Sequence, residues 1–219
     1  MSIMLDEKEV RILGCLIEKE MTTPDYYPLS LNAVVTACNQ RSNRNPVVTY
    51  DEATVEKCLA SLQQEGFVQV THAAGSRVHK YLHTFLDRFD LSAQEMAVLC
   101  ELMIRGPQTT GELRAHAGRI SAIESLEAVE TILQTLADQS PSLVAKLERE
   151  PGKKERRYMH LLSGMPSAEK TEAPAASEER PLDARTNEER IARIEEELMQ
   201  VREELNAVKN ALNGLRSQS

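Results

Sequence analysis

No apolar run in the sequence approaches the length that crosses a bilayer, and no basic segment followed by an apolar core opens the chain. A soluble, cytoplasmic protein with no membrane attachment is expected. Cysteine is sparse. Cys15, Cys38, Cys58 and Cys100 stand far apart with no Cys-x-x-Cys pair, so reduced thiols packed as small hydrophobes are expected rather than zinc ligands or disulfides. Tryptophan is missing, which is unremarkable; glycine is scarce and strand-like runs are short, which points to a mainly α fold.

Catalytic signatures are missing too. There is no phosphate loop, dinucleotide fingerprint or His-Glu-x-x-His. His72, His79, His83, His116 and His160 do not combine with the cysteines at metal spacing. The expectation is a protein without catalytic residues, metal or cofactor. A net charge of −8 argues against nucleic-acid binding through bulk charge and leaves a local basic surface open. Two stretches lack acids altogether, Tyr26 to Tyr50 and Gly66 to Leu86.

The first acid-free stretch organises the chain. Ser30 to Cys38 has an apolar helical pattern carrying Leu31, Val34 and Val35, and a polar loop follows from Asn39 to Asn45, closed by Pro46. A helix precedes it. Asp6 can cap with Glu9 as its box partner, Leu5 is placed as a staple, and Val10, Ile12, Leu13, Leu16 and Ile17 recur at helical spacing until Thr22-Thr23-Pro24. A third helix starts at Asp51, buries Val55, Leu59 and Leu62, and stops at Gly66. Phe67 to Thr71 and Val78 to Leu82 read as strands around Ala74-Gly75-Ser76. Three helices and a hairpin make a winged helix, a helix-turn-helix variant.

The pattern repeats. Leu91-Ser92-Ala93-Gln94-Glu95 matches Leu5-Asp6-Glu7-Lys8-Glu9, Thr109 falls on Thr23, and Gly111-Glu112-Leu113-Arg114-Ala115 opens a short second helix. Ser125-Leu126-Glu127-Ala128-Val129 matches Asp51-Glu52-Ala53-Thr54-Val55, and strands at Leu143 to Leu147 and Arg157 to Leu161 close the second copy. The offset between copies shortens along the chain, so the first copy carries extra residues in and around the organising stretch, as a longer connection into its third helix. The expected fold class is mainly α, with two tandem winged-helix domains at 1–88 and 89–164. A disordered linker at 165–189, rich in Ala, Pro, Ser, Thr and Glu, follows.

Residues 190–216 form a heptad. Ile191, Ile194, Leu198, Val201, Leu205, Val208, Leu212 and Leu215 alternate three and four apart, and the flanking pairs Arg190–Glu195, Glu197–Arg202 and Glu204–Lys209 have opposite signs. A parallel coiled coil joining copies of the chain is the favoured reading. Its β-branched residues leave trimer and tetramer open beside dimer, and a helix folded back on its own domains is the alternative.

Tyr27-Pro28-Leu29-Ser30-x-Asn32 followed by Ala37-Cys38-Asn39-Gln40-Arg41-Ser42-Asn43-Arg44-x-Pro46-Val47 resembles the YceH-like family of bacterial proteins. So do Arg105-Gly106-x-Gln108-Thr109-x-Gly111-Glu112-Leu113-Arg114 and Glu150-Pro151-Gly152-Lys153 with Arg157 to Leu161. The resemblance covers Leu5 to about Gly164 and implies tandem winged helices in a cytoplasmic protein. It implies no activity.

Candidate nucleic-acid contacts are Asn39, Gln40, Arg41, Asn43 and Arg44 in the loop, Arg77 and Lys80 in the first wing, and Lys153, Lys154, Arg156 and Arg157 in the second. Asn and Gln can read adenine edges, and arginine can hold phosphate or guanine. Against this, a loop of Asn and Ser can satisfy its own backbone, and the second wing mixes its cations with Glu148, Glu150 and Glu155. Tyr26, Tyr27 and Tyr50 are expected to pack around the loop. Acids at Asp51, Glu52, Glu56, Glu127 and Glu130 disfavour major-groove insertion of the third helices. The first expectation is a DNA-binding transcriptional regulator, oligomerised through its tail. A protein-interaction adaptor is the second.

Overall fold

A computed structural model describes residues 4–72 and 78–165. The linker and heptad at 166–219, the turn at 74–76 and Arg77 lie outside the described residues. The described part is mostly helical, with small antiparallel sheets. No helix among the described residues is long and apolar enough to cross a membrane.

Helix α1 (Glu7–Thr22) starts where the capping pattern placed it. The Glu9 N–H donates to Asp6 Oδ1 at 2.7 Å, and the Asp6 N–H donates to Glu9 Oε2 at 2.8 Å. Both donors would otherwise lack intrahelical partners. Ser30 caps α2 (Leu31–Cys38) and Asp51 caps α3 (Glu52–Gln64). Thr22 is the last residue of α1, and a short 3-10 turn, Pro24–Tyr26, follows.

The second half reuses the same devices. Ser92 and Glu95 box the start of α4 (Ala93–Arg105), Thr109 and Glu112 box α5 (Thr110–Ala117), and Ser125 caps α6 (Leu126–Asp138). Strands β2 (Val68–His72) and β3 (His79–His83) pair antiparallel, as do β4 (Val144–Lys146) and β5 (Tyr158–His160). A two-residue strand β1 (Leu29–Ser30), not expected from the sequence, adds to β3 and makes the order β1-β3-β2.

The extra residues of the first half are spread out rather than gathered before its third helix. Helix α1 has 16 residues against 13 in α4. Residues 23–30 correspond to 106–109, and residues 39–51 to 118–125, while α2 and α5 are both eight residues long.

One continuous apolar cluster joins both halves. Its axis is α1, buried at every position from Val10 to Glu18. Helices α2 and α3 pack on it from its own half and α4 packs on it from the other. Gly14 permits that last approach. A Cβ built there would sit 2.8 Å from Ile104 Cγ2 and 3.0 Å from Met103 Cβ, closer than packed carbon atoms come. The Leu5 N–H donates to Leu162 O at 2.8 Å, so the start of the first half is tied to the end of the second.

Candidate functional site

The polar loop after α2 is held in place by its own side chains. Asn39 donates from Nδ2 to Tyr50 O at 2.8 Å and accepts the Tyr50 N–H on Oδ1 at 2.7 Å. This reciprocal pair pins the loop's beginning to its end. Asn43 takes the left-handed conformation (φ 58°), which asparagine tolerates better than most side chains. Its Oδ1 accepts from Arg105 Nη2 at 2.6 Å.

Arg44 lies inside the protein, 5% exposed. Its Nε donates to Ala37 O at 3.0 Å, and Nη1 donates to Asn43 O at 2.8 Å. Nη1 and Nη2 also reach Glu18 Oε1 and Oε2 at 3.0 and 2.5 Å, a bidentate pair. Burial opposes the charged guanidinium, but the Glu18 carboxylate outweighs it and holds the Arg44 pKa above the ordinary value. Two further contacts finish the clamp. The Asn45 N–H donates to Ile104 O at 3.1 Å, near the end of α4. Arg11 Nη2 donates to Pro46 O at 2.9 Å.

Arg44 is buried and Asn39 spends both ends of its amide on Tyr50, so neither presents the polar group expected of it to solvent. Asn43 is exposed and meets Arg105 through its Oδ1. Arg157 is half-buried and also takes protein partners. Its Nη1 donates to Pro107 O at 2.7 Å and its Nη2 pairs with Glu112 Oε1 at 3.2 Å. Of the remaining candidates, Arg41, Lys153, Lys154 and Arg156 are exposed, while Gln40 and Lys80 are half-buried. None of these cations forms an ion pair among the described residues.

Sequence reasoning missed Arg11, Glu18, Glu101 and Arg105. Arg11 and Glu18 are buried charges inside the apolar stretch of α1, and Glu101 is buried in α4 with Arg105 Nε 2.9 Å from its Oε2. Burial raises the Glu101 pKa, with nearby Glu18 in the same sense and Arg105 and Arg119 opposing. The available signal was periodicity. Arg11 stands between Val10 and Ile12, where a solvent-facing charge breaks the pattern.

The tyrosines divide. Tyr27 Oη accepts the His83 N–H at 2.7 Å, Tyr50 closes the Asn39 pair, and Tyr26 is 78% exposed rather than packed. His83 is buried with Nε2 2.7 Å from Glu20 Oε2. Because its Nδ1 accepts the Phe85 N–H at 3.3 Å, the neutral ring carries its proton on Nε2 and donates it to Glu20. Burial lowers the His83 pKa against the pull of Glu20. Among the described residues no group of three or more His, Cys, Asp or Glu side chains is placed to hold a metal.

The third helices present acids outward. Glu52 and Glu56 are exposed on α3 beside Lys57, and Glu127, Glu130 and Asp138 are exposed on α6, which carries no base.

Residues 5–153 match the family described as protein of unknown function, DUF480. The chain is 48% identical to a UPF0502 protein of Geobacter metallireducens over 89% of each chain. It is 49% identical to one of Citrifermentans bemidjiense over 89% of this chain and 88% of the other. A UPF0502 protein of Opitutus terrae is 50% identical over 82% of this chain and 78% of its own. With the match spanning both helical halves, the chain belongs to the DUF480 family, to which these UPF0502 proteins are its relatives.

Proposed function

We propose that this chain is a tandem winged-helix protein that acts as a protein-interaction adaptor, with no catalytic step of its own. The observation that carries the reading is the outward charge of the third helices. Glu127, Glu130 and Asp138 on α6, and Glu52 and Glu56 on α3, are exposed where a DNA-reading winged helix would face phosphate. A basic protein surface suits them. One of the two loop arginines that could hold phosphate, Arg44, is spent on Glu18. Copies of the chain joined through Ile191 to Leu215 would present several such faces at once and gain in effective concentration.

A DNA-binding regulator is the second reading. Lys153, Lys154 and Arg156 favour it, because they are exposed and without ion pairs among the described residues at the turn of the second hairpin. Arg41 and Lys80 add to it. Wing contacts of this kind hold the backbone without reading sequence.

Affinity capture of the whole protein from lysate, with and without nuclease, tests both. A protein partner that survives nuclease, and is lost when Glu127 and Glu130 become lysine, supports the adaptor. Enriched DNA of defined sequence, lost on nuclease and in the Lys153→Ala, Lys154→Ala, Arg156→Ala triple variant, overturns it in favour of the regulator.

A further inference from the structure

The histidines divide by exposure. His83 is buried and uses both ring nitrogens, Nε2 on Glu20 and Nδ1 on the Phe85 N–H. His116 is half-buried, with Nδ1 2.6 Å from Gln108 Oε1, and His160 is half-buried with its Nδ1 closed to solvent. His72 and His79 are the exposed pair. They stand directly opposite each other at the facing ends of β2 and β3. Their ring centroids are 4.7 Å apart, with the ring planes at 77°. Neither imidazole has a hydrogen bond or ion pair among the described residues.

We propose that His72 and His79 form a two-imidazole site for a divalent transition ion of the zinc, copper or nickel class, which cross-links the two strands of the first hairpin.

The spacing fits one shared ion. Imidazole nitrogens bind such ions at about 2.0–2.1 Å, which places two ring centroids on one ion about 4.5–5 Å apart. The edge-to-face tilt is no obstacle. Turning a ring about its Cβ–Cγ bond swings a nitrogen toward the shared point. That axis runs through the ring, so the turn leaves the centroid separation nearly unchanged. Imidazole is a ligand that zinc, copper and nickel all accept, whereas magnesium and calcium prefer oxygen.

The surroundings suit a cation. Side chains alternate along a strand, so the pair shares its side of the hairpin with Val70 and Tyr81, while Thr71 and Lys80 belong to the other side. The Lys80 ammonium is thus turned away from the ion. On the ligand side the Tyr81 pKa is raised, first by burial and then by the Glu56 carboxylate of α3, so the nearby charge there is negative. Two protein ligands are fewer than the three or four of catalytic and structural zinc sites, and water completes the sphere. Such an ion exchanges readily. Its effect is mechanical, because it joins β2 to β3 where the pairing of the two strands ends.

The test uses the full chain in metal-free buffer, with zinc and copper ions as the probes. Equilibrium dialysis against zinc is expected to find one ion per chain held by the pair. His72→Gln and His79→Gln should each weaken binding by about 10²-fold or more, because either ring alone loses the gain from joining two ligands. His116→Gln should leave it unchanged. With one equivalent of copper, electron paramagnetic resonance should show coupling to two imidazole nitrogens in the wild type. Zinc should also slow amide exchange in β2 and β3 and not in β4 and β5, a readout that ion binding elsewhere on the surface would not move. No retained zinc, or retention that survives both histidine substitutions as an adventitious ion only, would overturn the proposal. Coupling to a single nitrogen would do the same. Both substitutions lie at exposed positions, and the dialysis, resonance and exchange readings on the wild type need no variant at all.

Discussion

Arg44 and Glu18 meet bidentately across 26 residues of sequence, with side chains 0% and 9% exposed. The pair is the centre of a clamp in which loop 39–46 closes over α1 and reaches α4. A charge pair of this burial is weak evidence for stability but strong evidence for dependence. The energetic weight lies in what either partner becomes when left alone.

Glu18→Gln leaves the Arg44 guanidinium buried and without its anion. The expected loss is about 3–5 kcal/mol in chemical denaturation. The double variant Glu18→Leu with Arg44→Met should recover most of it, because no charge then remains in the interior. A single variant as stable as the wild type would mean that water, not Glu18, solvates Arg44.

Gly14→Ala sets helix propensity against space. Alanine favours a helix by about 1 kcal/mol over glycine. The added Cβ, however, meets Ile104 Cγ2 at 2.8 Å and Met103 Cβ at 3.0 Å, and overpacking of this kind costs about 1–3 kcal/mol. Net destabilisation is expected. Combined with Ile104→Ala, the alanine should be better tolerated than the single effects add up to, since the methyl group it strikes is gone. A higher melting temperature for Gly14→Ala alone would show that α1 and α4 can slide apart at no cost.

Acid sensitivity should trace partly to His160. Burial lowers its pKa from 6.5 to about 4. Below pH 6.5 the unfolded chain takes up a proton that the folded protein refuses. Stability therefore falls as the pH drops from 6.5 towards 4, by up to about 1.4 kcal/mol per pH unit. Replacing His160 by Asn removes the group, and the stability profile should flatten over that interval. Parallel profiles for the two proteins would assign the acid loss elsewhere.

The tail proposal has a direct check. Leu198→Glu with Leu205→Glu places charges on the heptad seam and should reduce the mass seen by analytical ultracentrifugation to that of one chain. An unchanged mass would separate oligomerisation from the heptad.

Much of the helical layout was legible in the sequence because it is written in short-range chemistry. Asp6 with Glu9, Ser30, Asp51, Ser92 with Glu95, Thr109 and Ser125 each announce a helix start from the next three residues, and each is found capping. Strand ends moved by a residue or two, as frayed ends do. The site was less legible. Arg41 and Arg44 look alike in a polar loop, yet one is exposed and the other is buried. What separates them is Glu18 on another element, and no local pattern encodes that meeting. Strand β1 was hidden for the same reason, since two residues carry no alternation and only β3 makes them a strand.

The burial of α1 on all sides bears on how such a chain can be cut or inherited. Two similar halves suggest an ancestor of half the length, able to stand alone. Yet α1 now gives one face to each half, and its neighbour across Gly14 belongs to the other copy. A chain ending near Arg88 would leave that face bare to water. A cut between the halves would therefore expose the apolar surface that α1 and α4 bury against each other.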